Sequence, residues 1–237
     1  MNVSGKKAVV FGGTSGIGLA TVRMLAEEGA AVVAISRNPS KAGPVPDGVT
    51  LESCDVRDGA AMQTLLARLG PFDILVSAAT GGDRAVGPFV EMDMEGYKGS
   101  FDKLWGYANV VRYGAGNLND GGSITLVSGS PARNFPKGLS ALSSVGGAVE
   151  AFARTVAREI APEKRINVVS PGVIDTPMVP ITDKAERQAR FADMTKNNLI
   201  PRAGTAEEAA AAILFVIQND FVTGTILDVD GGWLLHD

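Results

Sequence analysis

A glycine-rich stretch near the start of the chain, Gly12-Gly-Thr-Ser-Gly16-Ile-Gly18, has residue types suited to holding a phosphate group. Glycine lets the backbone turn tightly and approach a ligand closely. The apolar run Ala8–Phe11 precedes the stretch, and a helical pattern over Ile17–Glu28 follows it. The start of a helix offers free N–H groups and a positive dipole end to an anion. An ordinary tight turn is the alternative interpretation, but the flanking strand and helix favour dinucleotide binding.

The second apolar run, Ala31–Ile35, leads into Ser36-Arg37-Asn38, the point where a dinucleotide fold meets the adenosine ribose. A carboxylate there would bind the 2′-hydroxyl of NAD, whereas an arginine suits the 2′-phosphate of NADP. No acidic residue lies between Ala30 and Pro46. The sequence therefore predicts NADP(H) as the cofactor, and a solvated surface arginine is the alternative interpretation of Arg37.

The composition excludes several other classes of protein. The chain has 237 residues and a formal net charge of −4, whereas a nucleic-acid-binding protein needs a basic surface. The single cysteine and single histidine are Cys54 and His236, which exclude an internal disulfide and argue against histidine-based metal sites and triads. No apolar run approaches the ~20 residues of a membrane span, and the N-terminus lacks a signal-peptide core. We therefore expect a cytoplasmic protein that acts on a small molecule, without metal, nucleic acid or membrane.

Short apolar runs alternate with longer helical stretches along the chain. The predicted strands are Ala8–Phe11, Ala31–Ile35, Thr50–Ser53, Ile74–Ser77, Ser123–Val127, Ile166–Val169 and Thr225–Val229. The predicted helices are Ile17–Glu28, Ala60–Leu69, Tyr97–Leu118 and Ser144–Ile160. Continuous apolar strands separated by helices are typical of a parallel sheet covered on both faces. We predict one α/β domain over residues 1–237, a doubly wound parallel sheet of about seven strands, with segments 80–92 and 177–202 over its carboxyl edge.

Four segments together resemble the short-chain dehydrogenase/reductase family. They are Gly12-x-x-x-Gly16-x-Gly18, Asp55-Val56, Pro171-Gly-Val-Ile-Asp-Thr176, and the closing stretch from Val222 to Gly232. The resemblance covers nearly the whole chain. It implies a Rossmann fold, an oxidoreductase activity, and a homodimer or homotetramer that pairs through the helices Tyr97–Leu118 and Ser144–Ile160.

The loop chemistry and the resemblance together assign the cofactor-binding residues. Asp55 would hold the adenine edge, although an exposed helix-capping aspartate is the rival interpretation. Ile174 and Thr176 would hold the nicotinamide carboxamide. The full predicted set is Gly12, Thr14, Ser15, Gly16, Ile17, Gly18, Ser36, Arg37, Asp55, Val56, Ala78, Ala79, Lys103, Pro171, Gly172, Ile174 and Thr176.

The catalytic half of the chain departs from the family pattern. Lys103 stands where the family carries its catalytic asparagine, and Gly129 stands where it carries its catalytic serine. Leu142 and Gly146 stand at the positions of the Tyr-x-x-x-Lys pair. No tyrosine lies between Tyr113 and the C-terminus, so no shift of register restores the motif. We therefore predict a divergent member that lacks the usual general acid, which is worth ~10²–10⁴-fold in rate.

Three side chains are candidates to supply the missing chemistry: Lys103, Ser130 and Arg133. A buried lysine can have a lowered pKa and donate a proton, or it can hold a ribose hydroxyl or an oxyanion. Each candidate has an alternative interpretation. Lys103 could be a surface lysine whose charged end lies in solvent, Ser130 a turn residue, and Arg133 a member of an ion pair in a loop or interface.

These candidates leave three functional hypotheses open. The first is an NADPH-dependent oxidoreductase that delivers hydride to a C=N, activated C=C or C=O group of a small organic substrate. The second is an isomerase or cyclase without net redox, and the third is an inactive NADP-binding protein. The predicted substrate wall covers residues 80–92, 131–142 and 178–200. Arg84, Lys184 and Arg187 in this wall could attract an anion, although a solvated face is the more common meaning of such residues.

Overall fold

The computed structural model describes residues 1–80 and 84–235 and contains a seven-stranded parallel sheet. Residues 81–83 of the predicted substrate wall and His236 lie outside the described residues. The strands are β1 Lys7–Phe11, β2 Ala31–Ser36, β3 Thr50–Ser53, β4 Phe72–Ser77, β5 Leu118–Val127, β6 Arg165–Pro171, β7 Ile174–Asp175, β8 Gly204–Thr205 and β9 Ile226–Val229. Strands β7 and β8 form a separate parallel pair.

The large sheet runs in the order β3-β2-β1-β4-β5-β6-β9. The direction of winding reverses at β1, which pairs in parallel with β2 on one side and with β4 on the other. The loops that follow β1 and β4 therefore diverge and leave a crevice at the carboxyl edge of the sheet. This arrangement confirms the predicted doubly wound α/β fold.

Helices cover both faces of the sheet. They are α1 Gly16–Glu27, α2 Gly59–Leu69, α3 Met94–Ser100, α4 Asp102–Gly114, α5 Pro131–Asn134, α6 Ser140–Ile160, α7 Lys184–Thr195 and α8 Ala206–Gln218. Helices α2, α4 and α6 contribute to one apolar cluster and helices α1 and α8 to the other. Because each inner strand is buried on both sides, its apolar run is continuous rather than alternating.

Several element boundaries differ from the prediction. The expected helix Tyr97–Leu118 is two helices, α3 and α4, that meet at Phe101. Phe101 keeps dihedral angles in the α region, so the apolar spacing continues across the junction and the pattern cannot reveal it. Leu118 pairs with Phe72 as the first residue of β5. Helix α6 starts at Ser140, one turn earlier than predicted.

Helix α8 was missed, although the sequence carries a signal for it. The Thr205 hydroxyl accepts from the Glu208 N–H, and the Glu208 carboxylate accepts from the Thr205 N–H. This reciprocal capping box is recognisable from a Thr and a Glu three residues apart. Within the described part of the chain, no helix combines the length and apolar character that crossing a membrane requires.

Candidate active site

A cleft of about 710 Å³ opens at the carboxyl edge, where the strand order reverses. Every residue predicted to bind the cofactor, from Gly12 to Thr176, lines this cleft. The tertiary structure therefore brings together loops that are far apart along the chain, from the turn after β1 to the segment after β7. Their contacts with a cofactor stay predictions.

The glycine turn after β1 leaves no room for side chains. Gly12 has a φ of +77°, and a Cβ on it would lie 2.7 Å from the Ala79 nitrogen and 2.8 Å from the Ala78 carbonyl carbon. A Cβ on Gly18 would lie 2.0 Å from the Gly12 oxygen. Bare backbone is thus the only surface that fits between β1, β4 and α1.

The start of α1 is free to receive an anion. Its N-cap, Ser15, makes no side-chain capping hydrogen bond, and the first turn contains no acidic residue. The first N–H groups of a helix have no partner within the helix, and here the first residues of α1, Gly16, Ile17 and Gly18, line the cleft. These features fit a dinucleotide whose pyrophosphate lies at the helix start.

Two arginines, Arg37 and Arg57, lie at the end of the cleft where the chain leaves β2 and β3. Arg37 is exposed and lines the cleft. Asp55 accepts hydrogen bonds from the Arg57 main-chain N–H at 2.9 Å and from its Nη2 at 2.7 Å. The Arg57 guanidinium, and to a smaller extent that of Arg37, holds the pKa of Asp55 below its usual value. Sequence analysis missed Arg57, whose spacing of two residues from Asp55 is a local signal for this contact.

Lys103 reaches the inner end of the cleft from α4. Its Nζ donates to the Ser128 carbonyl oxygen at 3.1 Å, just past the end of β5, and lies 5.6 Å from the centre of the Tyr107 ring. Burial, and then the nearby Arg84 guanidinium, lower the pKa of Lys103 to about 7. The Lys103 side chain is partly buried and lines the cleft, so its ammonium contacts the protein interior and does not lie on the outer surface.

Tyr107 is a cleft residue that sequence analysis did not include in the site. It lies one helical turn after Lys103 and is almost completely buried. Its hydroxyl donates to the Val127 carbonyl oxygen at 2.9 Å, and burial raises its pKa well above the usual value. The spacing of four residues between Lys103 and Tyr107 puts both on one face of α4, and this spacing was the available signal.

Ser130 and Arg133 do not join Lys103 in the cleft. The Ser130 hydroxyl is completely buried and has no hydrogen-bond partner among the described residues. The Arg133 Nε lies 3.2 Å from the Glu150 carboxylate, and its Nη1 donates to Asp228 at 2.9 Å. Neither residue belongs to the cleft lining. The structure therefore gives Arg133 the ion-pair role that was its alternative interpretation, and it offers no support for catalysis by either side chain.

Gly129, Leu142 and Gly146, the other positions at which the chain departs from the family's catalytic pattern, do line the cleft. A Cβ on Gly129 would find ordinary contacts, the nearest being Pro131 Cδ at 3.5 Å. A Cβ on Gly146 would lie 2.8 Å from the Ala132 Cβ. The short helix α5 thus fills the space beside Gly146, and the ion pairs of Arg133 hold α5 in place.

The predicted substrate wall is mostly apolar where it meets the cleft. Arg84 comes from its first segment, and Lys184 and Arg187 are absent from the lining. Trp233 is an additional lining residue from the C-terminal segment that sequence analysis did not assign to the wall. The apolar lining residues at this end are Pro131, Leu139, Leu142, Pro177, Met178, Val179, Phe191, Met194 and Trp233. Among residues 1–80 and 84–235, no cluster of three or more His, Cys, Asp or Glu could hold a metal ion.

The sheet order, the bare glycine turn and the cleft at the point of reversal define a dinucleotide-binding α/β protein. A family model described as enoyl-(acyl carrier protein) reductase matches residues 12–234. The chain belongs to the short-chain dehydrogenase/reductase family, and the prediction of an oxidoreductase of this family is confirmed.

Three relatives illustrate the similarity. A 3-oxoacyl-(acyl-carrier-protein) reductase of Mus musculus is 31% identical over 238 residues, which cover 96% of this chain and 97% of the relative. A crystal structure of a small-chain dehydrogenase in complex with NADPH is 31% identical and has a TM-score of 0.84. The match covers 98% of this chain and 100% of that dehydrogenase. The MalC reductase/Diels-Alderase of Malbranchea aurantiaca is 25% identical and has a TM-score of 0.85. The match covers 98% of this chain and 97% of MalC.

Replacing Arg37 with aspartate tests the cofactor preference. We expect Arg37→Asp to raise the Kd for NADPH by roughly a hundredfold, because a charge-assisted contact is lost and a repulsive charge is introduced. The Kd for NADH should change little. Calorimetric titration with each nucleotide measures both values. Lys41→Asp, at an exposed position outside the lining, is the matched control, and equal weakening of both nucleotides by Arg37→Asp would contradict the 2′-phosphate role.

Two adjacent glycines of α6 provide a test of the packing beside the cleft. A Cβ on Gly147 meets no atom within 4 Å, so Gly147→Ala should raise the free energy of unfolding by roughly 0.5–1 kcal/mol. Gly146→Ala should lower it by about 1–3 kcal/mol, because the new methyl group collides with Ala132. Urea denaturation at one fixed protein concentration compares the two variants. Equal stabilisation by both would show that α5 does not press against Gly146.

Proposed function

We propose that the chain is an NADPH-dependent oxidoreductase with a non-standard active site, acting on a C=N, activated C=C or C=O group of a small organic substrate. The observation that carries this proposal is the Lys103 ammonium at the inner end of the cleft, 3.1 Å from the Ser128 carbonyl oxygen. When bound, NADPH supplies the hydride. The glycine turn, Arg37 and the NADPH complex of a related dehydrogenase support this cofactor.

The cofactor-binding roles follow the distribution of charge along the cleft. The N–H groups at the start of α1 would hold the pyrophosphate, and Arg37 would hold the 2′-phosphate. Asp55 would contact the adenine edge while Arg57 keeps its carboxylate ionised. Ile174 and Thr176 would orient the nicotinamide carboxamide. Lys103 would contact the nicotinamide ribose, since its Nζ lies 3.1 Å from the carbonyl oxygen of Ser128, the residue that follows β5.

The non-standard character of the site rests on Gly129, Leu142 and Gly146. By the family resemblance these positions would carry the catalytic serine and the Tyr-x-x-x-Lys pair. The packing of Ala132 against Gly146 supports a site adapted to the glycine, because a longer side chain there requires α5 to move. Leu142 adds an apolar side chain to the cleft lining, where a tyrosine would have offered a hydroxyl.

The contribution of Lys103 depends on the substrate. A carbonyl oxygen that becomes a hydroxyl needs a proton, and the Lys103 Nζ can donate it because its pKa lies near neutrality. An iminium carbon that becomes an amine needs no proton, and there the residues of the cleft act by orienting the substrate and excluding water. The buried Tyr107 hydroxyl is committed to the Val127 carbonyl oxygen, so we assign it no proton transfer.

A second candidate function is a cyclase or isomerase that uses the bound nucleotide as part of its wall without net redox. Two observations favour it. The substrate end is lined mainly by apolar side chains such as Phe191, Met194 and Trp233, which suit shape-directed folding of a substrate. The chain is also similar over 98% of its length to a protein described as both a reductase and a Diels-Alderase.

We further propose that the chain is one cytoplasmic domain that forms a homodimer or homotetramer. Exposed aromatic side chains support self-association: Trp105 is 65% exposed and Phe221 is 101% exposed. Burial of such side chains between copies would remove apolar surface from water. Sedimentation velocity measures the assembly directly, and a purely monomeric species at micromolar concentration would contradict it.

The experiment that tests the proposed function follows NADPH absorbance with ketones, activated alkenes and preformed iminium ions. We expect wild-type protein to consume NADPH with at least one class. Lys103→Met should lower kcat for a carbonyl substrate by about 10²–10⁴-fold and leave iminium reduction much less affected. The wild-type rate on a carbonyl should fall as pH rises through about 7, since the ammonium loses its proton there, and this limb should disappear in the variant.

Lys98→Met is the matched control for this experiment. Lys98 lies on the neighbouring helix α3, pairs with Glu95 at 2.6 Å and is largely exposed. We expect its kinetics to match wild type. Substrate conversion without NADPH consumption would favour the cyclase, and equal carbonyl turnover by wild type and Lys103→Met would exclude Lys103 as the proton donor.

A further inference from the structure

The guanidinium of Arg187 is the centre of a hydrogen-bonded loop beside the cleft. Arg187 is the fourth residue of α7, and its side chain reaches back to the segment that follows β7. We infer that Arg187 is a positioning residue, which shapes segment 175–181 into the wall that closes the nicotinamide end of the cleft. This inference rests on the proposed function for the location of the nicotinamide, and on the contacts below for the bracing itself.

All five N–H groups of the guanidinium are used within this segment. Nε donates to the Asp175 carboxylate at 2.9 Å. Nη1 donates to the carbonyl oxygens of Val179 at 2.6 Å and Ile181 at 3.0 Å. Nη2 donates to the Thr176 carbonyl oxygen at 2.8 Å and also contacts Asp175. Arginine carries five N–H donors in total, so none is left for a ligand. Arg187 therefore acts neither as the anion-attracting residue nor as the solvated charge that the sequence allowed.

The segment needs such a partner because it has little regular structure. Between Asp175 at the end of β7 and Lys184 at the start of α7, the chain forms turns and irregular backbone. Main-chain carbonyl groups that are withdrawn from water need donors, and three of them find the same guanidinium. A single side chain thus fixes the path of residues that are six positions apart along the chain, from Asp175 to Ile181.

This path decides the shape of the cleft. Thr176, Pro177, Met178 and Val179 all line it. Thr176 is 9% exposed, and a Cβ on Gly16 would lie 3.4 Å from the Thr176 side chain. The braced segment therefore packs against the glycine turn itself, and its displacement would widen the cleft at the place where the cofactor is proposed to be held.

The same guanidinium also contacts the substrate wall. Its central carbon lies 5.0 Å from the centre of the Phe191 ring, one turn further along α7. Phe191 is buried and lines the cleft. A cation over an aromatic face is attracted to it, so Arg187 joins the loop of the cofactor wall to the helix of the substrate wall. Loss of Arg187 should therefore affect both NADPH binding and the KM for substrate.

Only an arginine has the required geometry. A lysine would place one ammonium with three donors at the end of a flexible chain, and it could not reach two sides of the loop at once. Arg187→Lys keeps the charge and Arg187→Ala removes the side chain, so the pair separates charge from geometry. Arg190→Ala, at an exposed position of the same helix, is the matched control.

The test combines two measurements that need no substrate. Calorimetry gives the Kd for NADPH, and limited proteolysis with thermolysin, read by mass spectrometry, gives the rate of cleavage within residues 177–182. We expect Arg187→Ala and Arg187→Lys to raise the Kd roughly ten- to a hundredfold, the equivalent of one hydrogen bond to a charged group. Both should also accelerate cleavage in this segment, while Arg190→Ala matches wild type in both measurements.

Chemical rescue separates a local brace from general damage. Millimolar guanidinium chloride should restore part of the NADPH affinity and protease protection of Arg187→Ala, whereas equimolar sodium chloride should not. Unchanged cleavage in both variants, or protection lost equally across the chain and not restored by guanidinium, would overturn the inference. If wild type bound no NADPH, the proposed function would fail, but the proteolysis and rescue measurements would still decide whether Arg187 braces the segment.

Discussion

The close approach of two main-chain turns at the ends of β1 and β4 is the constraint on which the cleft depends. Gly12 lies so near Ala78 and Ala79 that a single Cβ would come within 2.8 Å of main-chain atoms. Gly18 meets the Gly12 oxygen even more closely. Since backbone alone fits here, the first residues of α1 come directly after the turn and line the crevice. The register of β1 against β4 fixes this geometry, and the other cleft loops are arranged around it.

Charge is distributed unevenly around this crevice. Arg37, Arg84 and Lys103 line it, and Asp55 is the carboxylate among the described lining residues. Asp55 is itself compensated by Arg57. A lysine withdrawn from water is disfavoured as an ammonium, and the neighbouring Arg84 increases that effect. The excess of positive charge suits an anionic nucleotide, and it leaves Lys103 close to the balance between its two protonation states at neutral pH.

Two arginines outside the cleft give the site its rigidity by a common chemical device. Arg133 ties α5 to Glu150 of α6 and to Asp228 of β9, which keeps Ala132 against Gly146. Arg187 ties an irregular segment to α7 through carbonyl oxygens and Asp175. In both cases a planar fork with several donors fixes a short or irregular segment: Arg133 does so through Asp228, which is distant in sequence, and Arg187 does so within the segment that precedes its own helix. Neither arginine lines the cleft. Each holds residues that do line it, or their neighbours, in a fixed position.

The alternation of apolar runs and helical stretches predicted the parallel sheet, and the glycine spacing predicted the turn after β1. These features are local, because strand burial and tight turns are encoded by residues close together in the chain. The junction of α3 and α4 was not predictable from apolar spacing, since Phe101 preserves the helical period. The sequence offered Lys103 as the main catalytic candidate and Ser130 and Arg133 as further polar candidates, and of the three only Lys103 lines the cleft.

The sequence by itself determined the fold class, the nucleotide-binding turn and the absence of a tyrosine between Tyr113 and the C-terminus. The tertiary structure decided which polar side chains face the crevice and which form braces behind it. Arg133 finds its acceptor Asp228 on a strand whose proximity depends on how the helices pack on the sheet. The rotation of α4 about its axis likewise directs Lys103 and Tyr107 toward β5. The spacing of Lys103 and Tyr107 places them on one face of α4, but the direction in which that face points is set by long-range packing.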